Sequence, residues 1–223
     1  PHAYEQSQGV DVQVAAGPFA GMRVHVRRHG AGPPLLLLHG LMTSSYSWRY
    51  AIPGLGARFT CYAPDLPGNG RSDGPLGPVW SAEALGAWLG EVQRALGIRG
   101  CACVANSMGG YIAFEIMRQA PERVAKLALM NTQARPDTPE ATTRRRGQIA
   151  RAQAGEYRAI LDELFAGFVH PKRRDDAELH RLVSDMGDDV GPEAFVRQQM
   201  AIMSRPDSRP TLAWIKCPTL VLS

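Results

Sequence analysis

Hydrophobic and polar positions alternate near the start of the chain. The alternation covers residues 10–15 and 22–28, on either side of a turn that contains Gly17, Pro18 and Gly21. A two-residue period is typical of half-buried strands, and a turn of this composition joins neighbouring strands. We therefore predict that the chain opens with an antiparallel pair of strands.

Later apolar runs are continuous, and helical patterns separate several of them. Continuous runs of this length are typical of buried parallel strands. They cover residues 35–38, 59–63, 101–105 and 124–130, and amphipathic helical spacing covers residues 80–96 and 111–117. Strands that alternate with helices predict a mostly parallel sheet flanked by helices.

From Pro136 to about Arg209 the strand pattern disappears. Thr138-Pro139-Glu140 is a good helix start, with a capping side chain, a proline at the first position and an early acid. Apolar residues at helical spacing follow in residues 157–168 and 179–186, and Pro192 opens a further helix. We predict a helical insertion between the sixth strand and a seventh at residues 219–222. Most of its Phe and Met residues should pack internally, and one or two should cover a pocket.

The junction between the 101–105 strand and the following helix carries the clearest chemistry. It reads Ala105-Asn106-Ser107-Met108-Gly109-Gly110, a form of the G-x-S-x-G nucleophile elbow in which alanine replaces the first glycine. Such a turn projects the serine hydroxyl away from the backbone, and the helix N-terminus offers N–H groups to a developing oxyanion. The alternative is an ordinary serine helix cap. We predict that Ser107 is a nucleophile and that the Met108 N–H is an oxyanion donor.

A second motif, His39-Gly40-Leu41-Met42, closes the 35–38 strand. The loop after this strand can place a backbone N–H, that of Leu41, opposite the N–H of Met108. His39 could be taken for a catalytic base, but a base must face the serine hydroxyl. We interpret His39 as a structural residue that braces the loop.

Composition limits the classes of function. The 223 residues are 44% hydrophobic and 21% charged, which fits one globular α/β domain. No apolar stretch is long enough to span a membrane, and no signal peptide is visible at the start. The net charge is +4, but the arginines are scattered among acids, so we predict no nucleic-acid partner. The one dense run, residues 144–146, should be a solvated helix face.

Two further patterns are interpreted as structural. The four cysteines at positions 61, 101, 103 and 217 lie in or beside predicted strands without metal-binding spacing, so we expect small buried side chains, no metal and a reducing, cytoplasmic compartment. The Gly-rich residues 65–73 lack the Lys-Ser/Thr pair of a phosphate-binding P-loop.

In combination, these motifs resemble the α/β-hydrolases. The resemblance rests on His39-Gly40, residues 65–73, residues 105–110 and Pro121-Glu122-Arg123-Val124, which occur in the family's order. Residues 131–134 and 217–222 are similar to the branch that contains 3-oxoadipate enol-lactonases and related esterases. The resemblance implies an α/β-hydrolase core at residues 1–135 and 210–223, without its C-terminal part, and a helical cap at residues 136–209 over the serine.

The resemblance also implies where the serine's partners should lie. In the family the order is Ser, then Asp or Glu, then His. The acid usually follows the strand found here at residues 219–222, so we expect both the triad acid and the base beyond Ser223. Asp137 lies where some relatives carry the acid, but at the start of the predicted cap. His170 and His180 lie in the cap and are expected to be exposed. We name no triad acid or base, and we expect little activity from the 223 residues alone.

The function that this resemblance implies is a serine hydrolase that cleaves a small carboxylic ester or lactone through an acyl-enzyme, without a cofactor. The alternatives are a carbon–carbon bond hydrolase, a cofactor-free perhydrolase, and a non-catalytic ligand-binding member or inactive fragment. A serine at position 107 disfavours the dehalogenase and epoxide-hydrolase branches, which use aspartate there. The sequence identifies neither the acyl group nor the alcohol, and it leaves the oligomeric state open.

Overall fold

A single sheet of seven strands forms the centre of the computed structural model, which describes residues 3–74 and 80–223. The strand order is β1-β2-β4-β3-β5-β6-β7. The strands are β1 (Gln8–Gln13), β2 (Arg23–His29), β3 (Pro34–Leu38), β4 (Thr60–Pro64), β5 (Cys101–Asn106), β6 (Val124–Met130) and β7 (Thr219–Leu222). Residues 1, 2 and 75–79 of the predicted core lie outside the described residues.

The strand directions agree with the apolar patterns. The alternating segments β1 and β2 pair antiparallel, and β2 pairs antiparallel with β4. The continuous apolar runs form the parallel part of the sheet, in which β3 lies between β4 and β5, and β6 joins β5 to β7. Leu36, Leu37 and Leu38 of β3 are fully buried because helices and loops cover both faces.

The helices of the described chain flank this sheet or lie in the insertion. They are α1 (Ala3–Gln6), α2 (Ile52–Gly56), α3 (Ala82–Ala95), α4 (Met108–Gln119), α5 (Pro139–Gln153), α6 (Tyr157–Phe168) and α7 (Ala177–Met203). α3 begins where the Ser81 side chain accepts a hydrogen bond from the Ala84 N–H, and Gly97, at φ 70°, follows its end. Its buried face includes Trp88 and Leu89.

The insertion between β6 and β7 is helical, as its sequence predicts. α5 begins at the predicted cap, because Thr138 accepts a hydrogen bond from the Ala141 N–H. α7 is broken at Gly191, which has φ 71° and ψ 169°, and its second half begins at Pro192. The loop that follows β3, residues 39–44, is called the β3 loop. The insertion packs on this loop through Met42, which shares a buried cluster with Phe195 and with the side chains of Ala152, Tyr157, Ile160 and Leu161.

A buried ion-pair network joins the two ends of the insertion. Asp137 accepts hydrogen bonds from Arg145 Nε and Arg205 Nη2, both at 2.7 Å, and the Asp137 and Arg205 side chains are each only 3% exposed. The prediction that residues 144–146 form a solvated face is therefore wrong for Arg145. Arg144 and Arg146 are exposed, but helical periodicity turns Arg145 inward toward Asp137.

We expect Asp137→Asn to lower the free energy of unfolding by about 3–5 kcal/mol, because it leaves two buried guanidinium groups without their carboxylate. Burial opposes ionisation of Asp137, but hydrogen bonds from Arg205 and Arg145 outweigh it and lower the pKa of this carboxyl. The stabilisation is therefore complete above the ordinary pKa and is lost as pH falls through the lowered one. Urea unfolding at neutral and acidic pH checks this: the variant should approach the parent only in acid, and a constant difference would contradict it.

The cysteines and the sheet edge complete the fold. Cys61, Cys101 and Cys103 are buried free thiols, and burial raises the pKa of Cys61 to about 11. Cys217 is only half-buried, because it precedes β7, an edge strand of which all four residues are exposed. Within the described residues, no helix has the length and apolar character needed to cross a membrane.

Candidate active site

Three neighbouring parallel strands end at the same edge of the sheet, and each is followed by a residue of the candidate site. β3 leads into His39-Gly40-Leu41, β5 leads into Ser107, and β6 leads into Asn131. The carboxyl ends of parallel strands are where open α/β sheets place their ligands. Leu41, Ser107 and Asn131 all line one cavity of about 800 Å³.

Ser107 occupies a sharp turn between β5 and α4. Its backbone has φ 52° and ψ −116°, a conformation that a residue with a side chain rarely adopts and that costs about 1–3 kcal/mol. Contacts with the end of β6 hold it there. The Ser107 N–H donates to the Met130 carbonyl at 2.9 Å, and the Thr132 hydroxyl donates to the Ser107 carbonyl at 2.8 Å. A strained serine fixed from both sides is the geometry expected of a nucleophile elbow.

The two glycines after Ser107 allow close packing of the turn. A Cβ on Gly109 would lie 2.7 Å from the Leu38 carbonyl oxygen and 2.8 Å from that of His39. A Cβ on Gly110 would overlap the side chain of Thr132. Neither glycine has a positive φ. Close packing, and not backbone conformation, therefore requires glycine at both positions.

The β3 loop lies directly against the elbow. A Cβ on Gly40 would be 3.2 Å from the Cβ of Ser107. Leu41, the next residue, lines the cavity, and Met108 is the first residue of α4. Among the described residues, the N–H groups of Leu41 and Met108 have no hydrogen-bond acceptor, so both are available to a ligand.

His39 is fully buried and uses both ring nitrogens away from Ser107. Its Nε2 accepts from the Leu66 N–H at 2.9 Å, so Nδ1 is assigned the proton and donates to the Gly40 carbonyl at 2.9 Å. Burial lowers the pKa of His39, although Asp65 and the Gly40 carbonyl oppose the shift, and this favours the neutral ring. These contacts agree with the interpretation of His39 as a brace for the loop.

Gln198, on the second half of α7, holds the same loop from the insertion. It is 1% exposed, its side-chain oxygen accepts from the Met42 N–H at 3.2 Å, and its side-chain nitrogen donates to Asn69 at 2.6 Å. Asn69 in turn donates to the Thr43 carbonyl at 2.5 Å. Met42 has φ 58°, so the loop needs such contacts to keep its shape.

Residues 65–73, which the sequence excludes as a P-loop, form the support for this arrangement. The Asp65 carboxylate accepts from the Ser45 N–H at 2.7 Å and from the Arg71 N–H at 3.0 Å, and the Ser72 hydroxyl donates to the Asp65 carbonyl. Asp65 therefore ties the loop after β4 to the loop after β3.

The cavity at Ser107 has a basic wall. Its lining contains Arg49, Arg173 and His170, and the described lining residues include no Asp or Glu. The apolar part comes mainly from the insertion: Phe168, Leu179, Leu182, Val183 and Met186. Phe168 and Met186 are the Phe and Met residues in this lining.

The two histidines of the insertion differ from each other. His170 is exposed, as predicted, but it lines the cavity. The prediction of exposure is wrong for His180, which is half-buried against Phe165 and 3.2 Å from Asp162. Asp137 is engaged by its two arginines. In the described part of the chain, no hydrogen bond joins the Ser107 side chain to a histidine or a carboxylate, so no triad acid or base is assigned.

The sequence interpretation did not identify Arg49 and Gln198. Arg49 has no distinctive sequence pattern. Gln198 had a usable signal, because a Gln in the apolar positions of a helix that contains Phe195, Ala201 and Ile202 requires a polar partner.

The comparison with known families decides the assignment. A family model described as "alpha/beta hydrolase fold" matches residues 33–184. This range contains the β3 loop, residues 65–73 and the elbow. The chain belongs to the α/β-hydrolase fold family. The relatives described below include an esterase, an enol-lactonase and epoxide hydrolases.

Solved structures of this family align with nearly the whole chain. An esterase from Thermogutta terrifontis, solved with malate bound, is 31% identical, with a TM-score of 0.87 over 96% of this chain and 79% of that one. An enol-lactonase from Burkholderia xenovorans is 25% identical, with a TM-score of 0.82 over 91% of this chain and 78% of that one. These two α/β-hydrolases confirm the fold and the resemblance to enol-lactonases and esterases.

Several curated relatives share a shorter segment of the chain. An uncharacterised protein from Mycobacterium tuberculosis is 35% identical over 111 residues, which is 50% of this chain and 32% of that protein. Other relatives, 33% identical, are named epoxide hydrolases, and the match spans 22–38% of their length. The match therefore spans less than two fifths of the length of each of these relatives.

Proposed function

We propose that this α/β-hydrolase is a serine hydrolase that cleaves a small carboxylic ester or lactone through an acyl-enzyme intermediate. The observation that carries the proposal is the strained Ser107 at the cavity, next to Met108 and in the same lining as Leu41, two residues whose N–H groups have no acceptor among the described residues. An aspartate at this position would favour epoxide chemistry. A serine hydroxyl favours acyl transfer.

In the proposed reaction, the Ser107 oxygen attacks the ester or lactone carbonyl carbon and transfers its proton to a general base. The carbonyl oxygen becomes an oxyanion between the Leu41 and Met108 N–H groups. Removing one such donor typically costs about 10²–10³-fold in kcat. The C–O bond then breaks, the alcohol leaves with a proton, and water hydrolyses the acyl-Ser107 ester. The donors belong to the backbone, so most side-chain changes at Leu41 and Met108 should be tolerated.

We propose further that residues 136–209 act as a cap over the serine and that the rest of the chain is the catalytic core. The support is that Phe168, Leu182 and Met186 of the insertion line the same cavity as Gly40 and Ser107. The proposed partner is the small-molecule substrate alone. The cavity of about 800 Å³ is within the usual size range of small-molecule sites.

A fluorophosphonate probe tests this function. It should form a covalent adduct at Ser107, identified by mass spectrometry of the digested protein, because the elbow and its N–H groups stabilise a tetrahedral phosphorus centre. Ser107→Ala should abolish labelling, and Ser47→Ala, another serine of the cavity wall, is the matched control that should keep it. A probe adduct that persists in Ser107→Ala would contradict the proposal. A folded protein with its general base in place that is neither labelled nor active on short acyl esters would also contradict it.

A further inference from the structure

One charged side chain of the cavity wall is unusually placed. Arg49 is only 8% exposed, yet no described carboxylate forms an ion pair with it. One of its nitrogens donates to the Tyr46 carbonyl at 3.2 Å, and its guanidinium lies over two rings, 4.8 Å from the centre of Tyr46 and 4.4 Å from that of Tyr50. Arg49 is therefore a mostly buried residue whose described partners are one carbonyl and two aromatic rings.

The other basic groups of the cavity are occupied or exposed. Arg173 forms hydrogen bonds to Asp176, at 3.1 Å from Nε and 2.5 Å from Nη2, so its charge is already paired. His170 is exposed and accepts a hydrogen bond from the Lys172 N–H. Of these three basic residues, Arg49 is thus the buried one, and most of its guanidinium N–H groups have no acceptor among the described residues.

A guanidinium keeps its charge at any pH at which proteins fold, so burial cannot be relieved by loss of a proton. Stacking on aromatic rings compensates part of the lost hydration. A ligand carboxylate would restore the rest through charge-assisted hydrogen bonds, which an arginine can make in pairs because its donors form a planar fork. Because the described lining contains no Asp or Glu, no carboxylate of the cavity wall competes with a ligand for Arg49.

We infer that the substrate carries a second, ionised carboxylate besides its reacting ester or lactone, and that Arg49 binds this carboxylate. This rests on the proposed function and specifies it: the substrate class is a monoester, or a lactone, of a small dicarboxylic acid. The neutral end of the molecule reaches Ser107 and the Leu41 and Met108 N–H groups, while the anionic end defines its orientation. Arg49 is then a specificity-determining residue.

The test compares two esters of equal shape and different charge. Monoethyl succinate has a free carboxylate, and ethyl 4-oxopentanoate replaces it with a methyl ketone. Their kcat/KM values are measured with the full chain, and their dissociation constants are measured by NMR titration of Ser107→Ala, which cannot turn them over. We expect the charged ester to be preferred by about 10–100-fold in both measurements, the range of a charge-assisted hydrogen bond.

Arg49→Met, which keeps most of the side-chain volume, should reduce this preference to near one, and Arg49→Lys should leave an intermediate value because the charge remains but the fork is lost. Arg144→Met changes net charge equally on an exposed part of α5 and should keep the preference. Arg173→Met should also keep it. If Arg49→Met does not fold, the intermediate preference of Arg49→Lys and its decline with added salt support the inference instead.

The outcomes separate the inference from the proposed function. Equal affinities for the two esters in Ser107→Ala, or a preference that survives Arg49→Met, would overturn the role of Arg49, even if Ser107 is labelled and neutral esters are hydrolysed. A preference that is lost in Arg173→Met but kept in Arg49→Met would also overturn it. A folded protein that hydrolyses neither ester and leaves Ser107 unlabelled would instead refute the serine hydrolase, whatever the binding preference.

Discussion

Gly109→Val should reduce ester hydrolysis by about 10²–10³-fold, the loss expected when an oxyanion donor is displaced. The first added carbon would already lie within 2.8 Å of two backbone oxygens, those of Leu38 and His39. Backbone of a central strand cannot move aside as a side chain can, so α4 must shift away from β3. The Met108 N–H and the Ser107 hydroxyl move with it, while the Leu41 N–H stays with the β3 loop.

The matched control is Met108→Leu, which changes the side chain of the proposed donor and keeps its N–H. Met108 is 2% exposed, and a swap of similar volume usually costs less than about 1.5 kcal/mol of stability. It should retain most activity. Gly109→Ala adds a single carbon at the same point and should fall between the two, which keeps the test informative if Gly109→Val unfolds. Circular dichroism confirms folding; a folded Gly109→Val enzyme of normal rate would contradict the elbow.

Elements with a strong local pattern could be predicted from the sequence. β6 (Val124–Met130) has the predicted bounds, because a proline-containing turn precedes it and Asn131, at φ 47°, follows it. The break in α7 follows from Gly191-Pro192. The short helices α1 and α2 could not be predicted, since four or five residues carry no usable period, and α2 (Ile52–Gly56) contains a proline and two glycines.

The candidate site likewise contains residues that could be predicted from the sequence and residues that could not. Ser107 and the loop of Leu41 are predictable because each lies at a strand end with its own local motif. Arg49 and Gln198 depend on contacts that no local pattern contains: Gln198 is 156 positions from Met42 and 129 from Asn69. The inward turn of Arg145 likewise depends on Asp137 and Gln199, which lie in other segments.

The contact between Gln198 and the β3 loop leads to the second large effect. We expect Gln198→Leu to lower kcat by about 10²-fold, because a displacement of the β3 loop by about 1 Å is enough for such a loss. The substitution leaves the Met42 N–H and the Asn69 side chain without their partners, so the loop that carries the Leu41 N–H loses its attachment to α7. KM should change much less, since Gln198 does not line the cavity.

Gln199→Leu is the control for this prediction, because it removes a second buried glutamine from the same helix. Gln199 is fully buried and binds Arg145 at 2.6 Å and Gln148 at 3.0 Å, away from the loop. Each substitution should cost about 1–3 kcal/mol of stability for unsatisfied buried groups, but only Gln198→Leu should lower kcat. Gln198→Glu keeps an acceptor for the Met42 N–H and should recover part of the rate. Equal losses of kcat in Gln198→Leu and Gln199→Leu at equal stability would mean that the amide stabilises the fold without positioning the loop.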